Sequence, residues 1–437
     1  MSISLLTVIL FGATLLIFAT GMPVGFGLGG VAMAMAALTW GTQGFMLIPT
    51  TALTAVSNFT TLAIPLFLFM GQILQRSGLG EAMFNAVHVL SGRVRGGLAI
   101  GVIIVCSLMG AMVGIIGAGI MTAGAIALSP MLERGYNKHL ALGSIMAGGG
   151  MGILIPPSVP MILFSSVTST SVGKMFAGGI VPGLIMSALF VIYIALRCFI
   201  NPEMGPALTG EASKSLKQKA IAVRDAALAF GLIFFVLGSI LLGVATPTEA
   251  AAVGAVGAII TAIIYRRFSL EVLKDATFSG MKLTSIVVWI LIGASIFSNF
   301  HMLMGAGKLL SDFTAKAGLG PWGVIILMQL SMLALGCIMD EFIIVLICAP
   351  LYTPIAVSLG FDPIWFGILM ILNMEIAIQT PPYGFALFYL KGIAPKDCTM
   401  WDIYISIGPF VALKFVVLAL CMAFPQIVLW LPNLLFA

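Results

Sequence analysis

Between Leu98 and Leu132 lie 35 consecutive residues without an Asp, Glu, Lys or Arg, and this run limits the fold more than any other feature of the chain. As one helix it would extend about 52 Å, against a bilayer hydrocarbon core of about 30 Å. Its middle is Gly114-Ile115-Ile116-Gly117-Ala118-Gly119, a cluster of glycines that weakens a helix. Each arm is then about 16 residues, or roughly 24 Å, too short to cross comfortably. Basic residues flank both ends, Arg93 and Arg95 before and Arg134 and Lys138 after. Basic ends face the cytoplasm, so both ends belong on one side. The spacing predicts a re-entrant helical hairpin over 98–132 with its tip near the membrane midplane.

The remaining chain agrees with a membrane setting. Its residues are 61% hydrophobic and 8% charged, against roughly 25% charged in soluble domains, which excludes a water-soluble enzyme. The apolar residues come in runs rather than in alternation, which excludes a barrel. The expected class is an all-α polytopic membrane protein of roughly ten to fourteen helical segments, with lipid as its surroundings. A net charge of +5 spread over short loops makes no basic tract, so no nucleic-acid partner is expected. The six cysteines, Cys106, Cys198, Cys337, Cys348, Cys398 and Cys421, show no metal spacing and read as ordinary apolar residues. Met1 to Phe18 has no basic leading region and reads as a first span rather than a signal peptide.

The first half, 1–200, opens with spans over Leu5–Thr20, Val24–Trp40 and Thr60–Leu74, the first two carrying Gly21, Gly25 and Gly29 at a four-residue spacing that suits close helix contact. After the hairpin, 140–173 is again charge-free and is broken by Ile155-Pro156-Pro157-Ser158, since prolines remove backbone donors. Val181–Leu196 returns to Arg197, and 201–224, with Lys214, Lys217, Lys219 and Arg224, reads as a cytoplasmic linker.

The second half, 225–437, repeats the plan. Spans over Ala226–Val244 and Ala250–Tyr265 flank Ala245-Thr246-Pro247-Thr248-Glu249, where Thr248 is the expected helix cap. Leu283–His301 follows, and then a second hairpin over 317–361, whose only charges, Asp340 and Glu341, sit at its middle. Asp362 follows that hairpin with no nearby Lys or Arg, so its open end faces the opposite side. Residues 363–390 are broken by Thr380-Pro381-Pro382-Tyr383-Gly384, and a last span covers about 404–429. Gly114, Pro130, Pro156 and Pro182 recur as Gly336, Pro350, Pro381 and Pro409, at offsets of 220 to 227 residues. Each half has an odd number of crossings, so the copies form an inverted-topology repeat with both termini periplasmic. Two hairpins and two broken helices in such a repeat point to a secondary transporter.

Broken helices release backbone groups that survive in a membrane only under protein or water. Freed carbonyls and hydroxyls suit Na⁺, and freed helix N-termini suit an anion. The first tip (Gly114, Gly117, Gly119) is expected to meet the first break (Pro156, Pro157, Ser158), and the second tip (Gly336, Asp340) the second break (Thr380, Pro381, Pro382). Candidate Na⁺ positions are Gly114, Gly117, Gly119, Pro156, Ser158, Gly336, Asp340, Thr380 and Pro382. Candidate substrate contacts are Gly119, Pro157, Ser158, Thr380 and Tyr383. A midplane carboxylate such as Asp340 needs a partner: an ion, a proton or the hairpin backbone. Glu341 and Glu375 read as satisfied structural acids. His88, His139 and His301 share no spacing, so no metal other than Na⁺ and no organic cofactor is expected. An intramembrane enzyme is disfavoured by the lack of HExxH, paired GxGD or a midplane Ser–His pair, and a scaffold has no use for two symmetric breaks.

These landmarks resemble the large membrane subunit of the tripartite ATP-independent periplasmic (TRAP) transporters. The resemblance rests on Ala63-Ile64-Pro65-Leu66-Phe67, Ile155 to Ser158, Ala177-Gly178 to Pro182-Gly183, Ala245 to Ala251, Met339-Asp340, and Thr380-Pro381-Pro382 with Gly384, Leu387 and Phe388. It implies Na⁺-driven elevator transport of a small organic anion in a bacterial inner membrane, with a periplasmic substrate-binding protein and a separate small four-helix membrane subunit as partners. The first tip departs from the family's hydroxyl-bearing tips, and Ile378-Gln379 stands where a glycine is common. Leu387 to Lys391 resembles the branch associated with 2-oxo acids and related monocarboxylates. The alternative is a stand-alone carboxylate or ion carrier of the same superfamily, working without a binding protein.

Overall fold

Apolar helices broken by glycine and proline pairs build the whole architecture. The computed structural model describes residues 2–78, 80, 82–86, 94–207, 216–307, 318, 320–381 and 384–436, with 111–113, 216–219, 222 and 225 as backbone alone. Among the described residues there are helices and turns and no strand, and seven segments are long and apolar enough to cross a membrane.

One group of helices contains α1 (Ile3–Ala19), α2 (Val24–Trp40), the short α3 (Leu47–Val56) and α4 (Ala63–Arg76), together with α10 (Leu216–Leu241), α11 (Pro247–Ile264) and the 34-residue α12 (Leu270–Leu303). Helix α12 is its spine, packed against α2, α3 and α4. Helices α2 and α12 run side by side because a Cβ at Gly29 would lie 3.3 Å from the Gly293 Cα. The expected contact role holds for Gly25 and Gly29, whereas Gly21 has open space around it and a φ of +79° that suits the turn. Aromatic edges at Trp40–Phe300 and Phe11–Phe297 fill the far end of the seam.

The second group holds the two hairpins and two broken helices. The first hairpin is α5 (Gly97–Val113) and α6 (Ile116–Glu133), followed by a broken helix of α7 (Lys138–Gly150), a 3₁₀ turn (Met151–Ile153) and α8 (Val159–Thr168), then the long α9 (Val172–Ile200). The second hairpin is α13 (Pro321–Gly336) and α14 (Glu341–Ser358), followed by α15 (Pro363–Ala377), a break, α16 (Phe385–Ile393), α17 (Met400–Ala423) and α18 (Gln426–Leu435). The same order of hairpin, broken helix and long helix thus occurs twice.

Contacts define the inversion. Helix α7 runs beside α17 in the same direction, with His139 Nδ1 3.1 Å from the Ser406 hydroxyl near one end and Gly150 beside Lys414 at the other. Helix α15 runs against α17, since the Trp365 indole N–H donates to the Cys421 carbonyl at 2.8 Å and Glu375 meets Lys414 at 2.9 Å. Helices α7 and α15 therefore point their C-terminal ends at each other. The outer arms cross over as well: α6 of the first hairpin packs on α16, and α14 of the second packs on α8.

Three expectations are corrected by the structure. Residues 216–224 of the expected linker are the first turns of α10, because Lys, Gln, Ala and Arg are good helix formers. The expected last span divides at Phe424-Pro425 into α17 and α18, where proline cannot continue the ladder. Thr246 caps α11, in a capping box with Glu249, while the Thr248 hydroxyl donates instead to the Phe59 carbonyl at 3.1 Å. Helix α3, with a 3₁₀ turn on each side, occupies the stretch between the second and third expected spans.

Candidate ion and substrate site

The first tip reaches the first break through backbone. Gly114 ends α5 in the left-handed region, with φ +64° and ψ 11°, which favours glycine. The Val159 N–H donates to its carbonyl at 3.4 Å, and a Cβ on Gly114 would stand 2.9 Å from the Pro157 carbonyl oxygen. Pro156 and Pro157 are buried in the turn between the 3₁₀ segment and α8. Ser158 is fully buried and starts α8; its hydroxyl donates to the Ile153 carbonyl at 2.5 Å and accepts from the Met161 N–H at 3.4 Å. That hydroxyl braces the break itself.

Gly117, the second residue of α6, lies against the Tyr389 ring of α16, so the first tip also meets the second half. Gly119 faces the Gly149 carbonyl of α7, where a Cβ would come to 2.8 Å. Its place is the α6–α7 packing seam, where the missing side chain permits close approach.

At the second tip, Gly336 packs on Ala377 at the end of α15. Asn373 braces the same seam, its Nδ2 donating to the Gln329 carbonyl at 2.8 Å and to Gln329 Oε1 at 2.7 Å. Asp340 caps α14 by accepting the Phe342 N–H at 3.0 Å, the hairpin-backbone role among its expected partners. Glu341 beside it is buried. The Thr380 hydroxyl donates back to the Ile376 carbonyl at 2.6 Å. Pro382 and Tyr383, expected at the ion and substrate positions, lie outside the described residues, as do Arg93, His88 and Lys214.

Sequence reasoning missed the cavities that these tips face. One, of about 570 Å³, lies between α4 and α12 on one side and the first tip on the other; Gln72, Arg76, Lys282, Ile115, Gly117 and Tyr389 are among its lining residues. A second, of about 720 Å³, shares Lys282 and Ile286 with the first and is lined by Phe26, Trp289, Phe385 and Asp340 of the second tip. The two flank Lys282 along α12, so a cation on one helix group stands between both tips of the other. Arg76 is braced there by Asp275 at 3.4 Å and by the Ser279 hydroxyl at 2.6 Å. Gln75 of α4 donates to Thr122 of α6, a polar tie between the two groups. Volumes of this size suit a small organic molecule, and the lining supplies positive charge beside apolar and aromatic surface.

Oxygens stand on both sides of the crossings: the Gly114 carbonyl and the Asp340 carboxylate on the tips, and the Pro157 carbonyl and the Thr380 hydroxyl on the breaks. That all-oxygen set fits a hard monovalent cation such as Na⁺, and unwound carbonyls at helix breaks are its usual ligands in transporters. Among the described residues no cluster of three His, Cys, Asp or Glu could hold another metal.

The sequence model of the family described as "Tripartite ATP-independent periplasmic transporter, DctM component" matches residues 11–427. This chain belongs to that family. The permease is 33% identical over 448 aligned positions to the C4-dicarboxylate TRAP transporter large permease protein DctM of Rhodobacter capsulatus, covering 98% of this chain and 99% of that one. It is 31% identical to the sialic acid TRAP transporter large permease protein SiaM of Vibrio cholerae, with 97% and 98% covered. The isethionate TRAP transporter permease protein DctMQ of Oleidesulfovibrio alaskensis is 29% identical, and the match covers 96% of this chain and 65% of that relative. Among solved structures, the Alcanivorax borkumensis YdaH transporter superposes with a TM-score of 0.63 at 14% identity, over 89% of this chain and 90% of that one. MtrF of Neisseria gonorrhoeae gives 0.59, also at 14%, over 89% and 85%. At that identity the likeness concerns the fold. The permease is a multi-span secondary-transport subunit, and its relatives are named as permeases rather than enzymes.

Proposed function

We propose that this permease imports a small organic anion, a carboxylate of the 2-oxo acid or related monocarboxylate kind, driven by a Na⁺ gradient. A periplasmic substrate-binding protein delivers the anion, and a small four-helix membrane subunit braces the group built on α12. Both termini face the periplasm, because Arg76, Lys138, Arg197, Arg224 and Arg267 cluster at the opposite helix ends, and basic ends stay in the cytoplasm.

The observation that carries the reading is the 570 Å³ cavity in which the first tip faces Arg76 and Lys282. Two cations beside an apolar wall suit a carboxylate with a short carbon chain. Na⁺ bound where each tip meets its break would supply positive charge and hold the tip against the break. The chain's own part is to shape those crossings: Gly114 lets the backbones close, Ser158 fixes the turn, and Asp340 presents a carboxylate at the head of α14. The hairpin group then slides as an elevator along α12 and α4. Coupling requires the cation to favour the substrate-ready tip geometry over the open one.

The test is uptake of a panel of small carboxylates into proteoliposomes holding the permease and its small subunit, with and without binding protein and an inward Na⁺ gradient. Uptake that needs both supports the proposal and names the substrate. Uptake that ignores the gradient removes the Na⁺ reading, and uptake that ignores the binding protein makes the chain a stand-alone carrier.

A further inference from the structure

Lys414 is a lysine with no exposed surface, in the middle of the apolar α17. Its ammonium lies 2.9 Å from Glu375 Oε1 of α15 and donates to Gln379 Oε1, in the second break, at 2.6 Å. Glu375 and Gln379 are likewise fully buried. The Gln379 amide also donates to the Met146 carbonyl of α7 at 3.1 Å. Gly150, the last residue of α7, leaves the room: a Cβ there would come within 3.1 Å of the ammonium and would overlap the Gln379 amide.

The ammonium thus sits where the C-terminal ends of α7 and α15 converge, each just before its break. Helix C-termini carry partial negative charge, so two of them and a carboxylate surround one site. Such an arrangement in a membrane interior requires a cation. The Glu375 oxygens receive no well-aligned hydrogen bond, so the carboxylate is held by charge while Gln379 takes the directed bond. A fully buried carboxylate with unused lone pairs and a side-chain amide oxygen form a hard, all-oxygen pair around Nζ, where two helix C-termini converge.

We infer that Lys414 is a tethered cation: its ammonium occupies a monovalent-cation site between the two broken helices and ties the geometry of one break to the other. It is a positioning residue, removed from the cavities that Lys282 lines. Both tips rest on breaks joined through this one charge, so each crossing keeps its shape when the other changes occupancy. Removing the side chain leaves a site that a free small cation can fill.

The experiment uses the purified full chain in nanodiscs, comparing wild type with Lys414→Ala. Thermal unfolding is followed in choline chloride with added Na⁺ or methylammonium, and uptake is measured in proteoliposomes under the same additions. Lys414→Ala should unfold at lower temperature in choline and recover with methylammonium or Na⁺, while wild type shows no methylammonium response. Uptake should fall by about tenfold or more, in the range seen when a supporting partner of an ion site is lost, and should return in part with methylammonium. A Lys414→Ala protein that folds but ignores both cations overturns the inference. If that variant does not fold, Lys414→Met with Glu375→Gln removes both charges and the desolvation problem together. Wild-type uptake and Na⁺ dependence in the double variant overturn the inference, and folded protein with an altered Na⁺ midpoint supports it. The methylammonium shift does not depend on Na⁺ driving transport, so its failure is distinguishable from failure of the proposed coupling.

Discussion

Gly114→Ala puts a single methyl group into the contact between the first tip and the first break. Two costs are legible in the geometry. A side chain at φ +64° enters the left-handed region, at about 1–2 kcal/mol. The new Cβ would lie 2.9 Å from the Pro157 carbonyl oxygen, closer than ordinary van der Waals contact, so the tip and the break must part by a few tenths of an ångström. Gly243 separates the two terms: its φ is +70° and nothing lies within 4 Å of its Cβ position, so Gly243→Ala carries the backbone cost alone. If the crossing shapes a cation site, displacing Pro157 raises the Na⁺ concentration for half-maximal uptake about tenfold, equivalent to about 1.4 kcal/mol. Gly243→Ala lowers thermal stability and leaves that midpoint where it was. The assay is initial uptake in proteoliposomes against Na⁺ concentration, beside thermal unfolding of both variants. An unchanged midpoint in Gly114→Ala, or an equal shift in Gly243→Ala, would refute the claim that this contact builds the site.

Asp340→Asn keeps a good helix cap, so thermal stability should change by no more than a few tenths of a kcal/mol, while Na⁺-dependent uptake falls; wild-type uptake in the folded variant would take Asp340 out of the ion site. Lys282→Gln removes the charge shared by the two cavities and should raise the KM for an anionic substrate about tenfold, the loss of roughly 1.4 kcal/mol, with a smaller change in kcat. An unaltered KM would place the anion elsewhere. Thr246→Ala breaks the capping box with Glu249 and should cost about 1 kcal/mol of stability, read as a lower unfolding temperature with unchanged KM.

The elements legible in the sequence are those whose cause is local. A charge-free run too long for one span, with glycines at its centre, can be read as a hairpin from length alone. The first hairpin accordingly has arms of 17 and 18 residues meeting at Gly114-Ile115. The Pro156-Pro157 break has the same character, since a missing N–H ends a ladder whatever surrounds it. The surroundings of individual residues are not local in cause. Gly119 looks like part of a tip because it belongs to the same glycine cluster, yet one helical turn carries it into the seam with Gly149. Ser158 carries a suitable hydroxyl, but its neighbours use that hydroxyl to hold the break.

The sequence by itself determined that the chain lives in a membrane, where the hairpins and central breaks fall, and that the pattern returns inverted, because bilayer thickness and backbone chemistry act on short stretches. Only the tertiary structure decided which charges matter. Arg76 and Lys282 line one cavity from positions 206 residues apart. Lys414 finds Glu375, Gln379 and the end of α7 in a helix that is apolar all round. In such a helix hydrophobic periodicity cannot tell the lipid face from the protein face. Whether a lysine there is solvated, in lipid or locked between two helix ends depends on what packs against it.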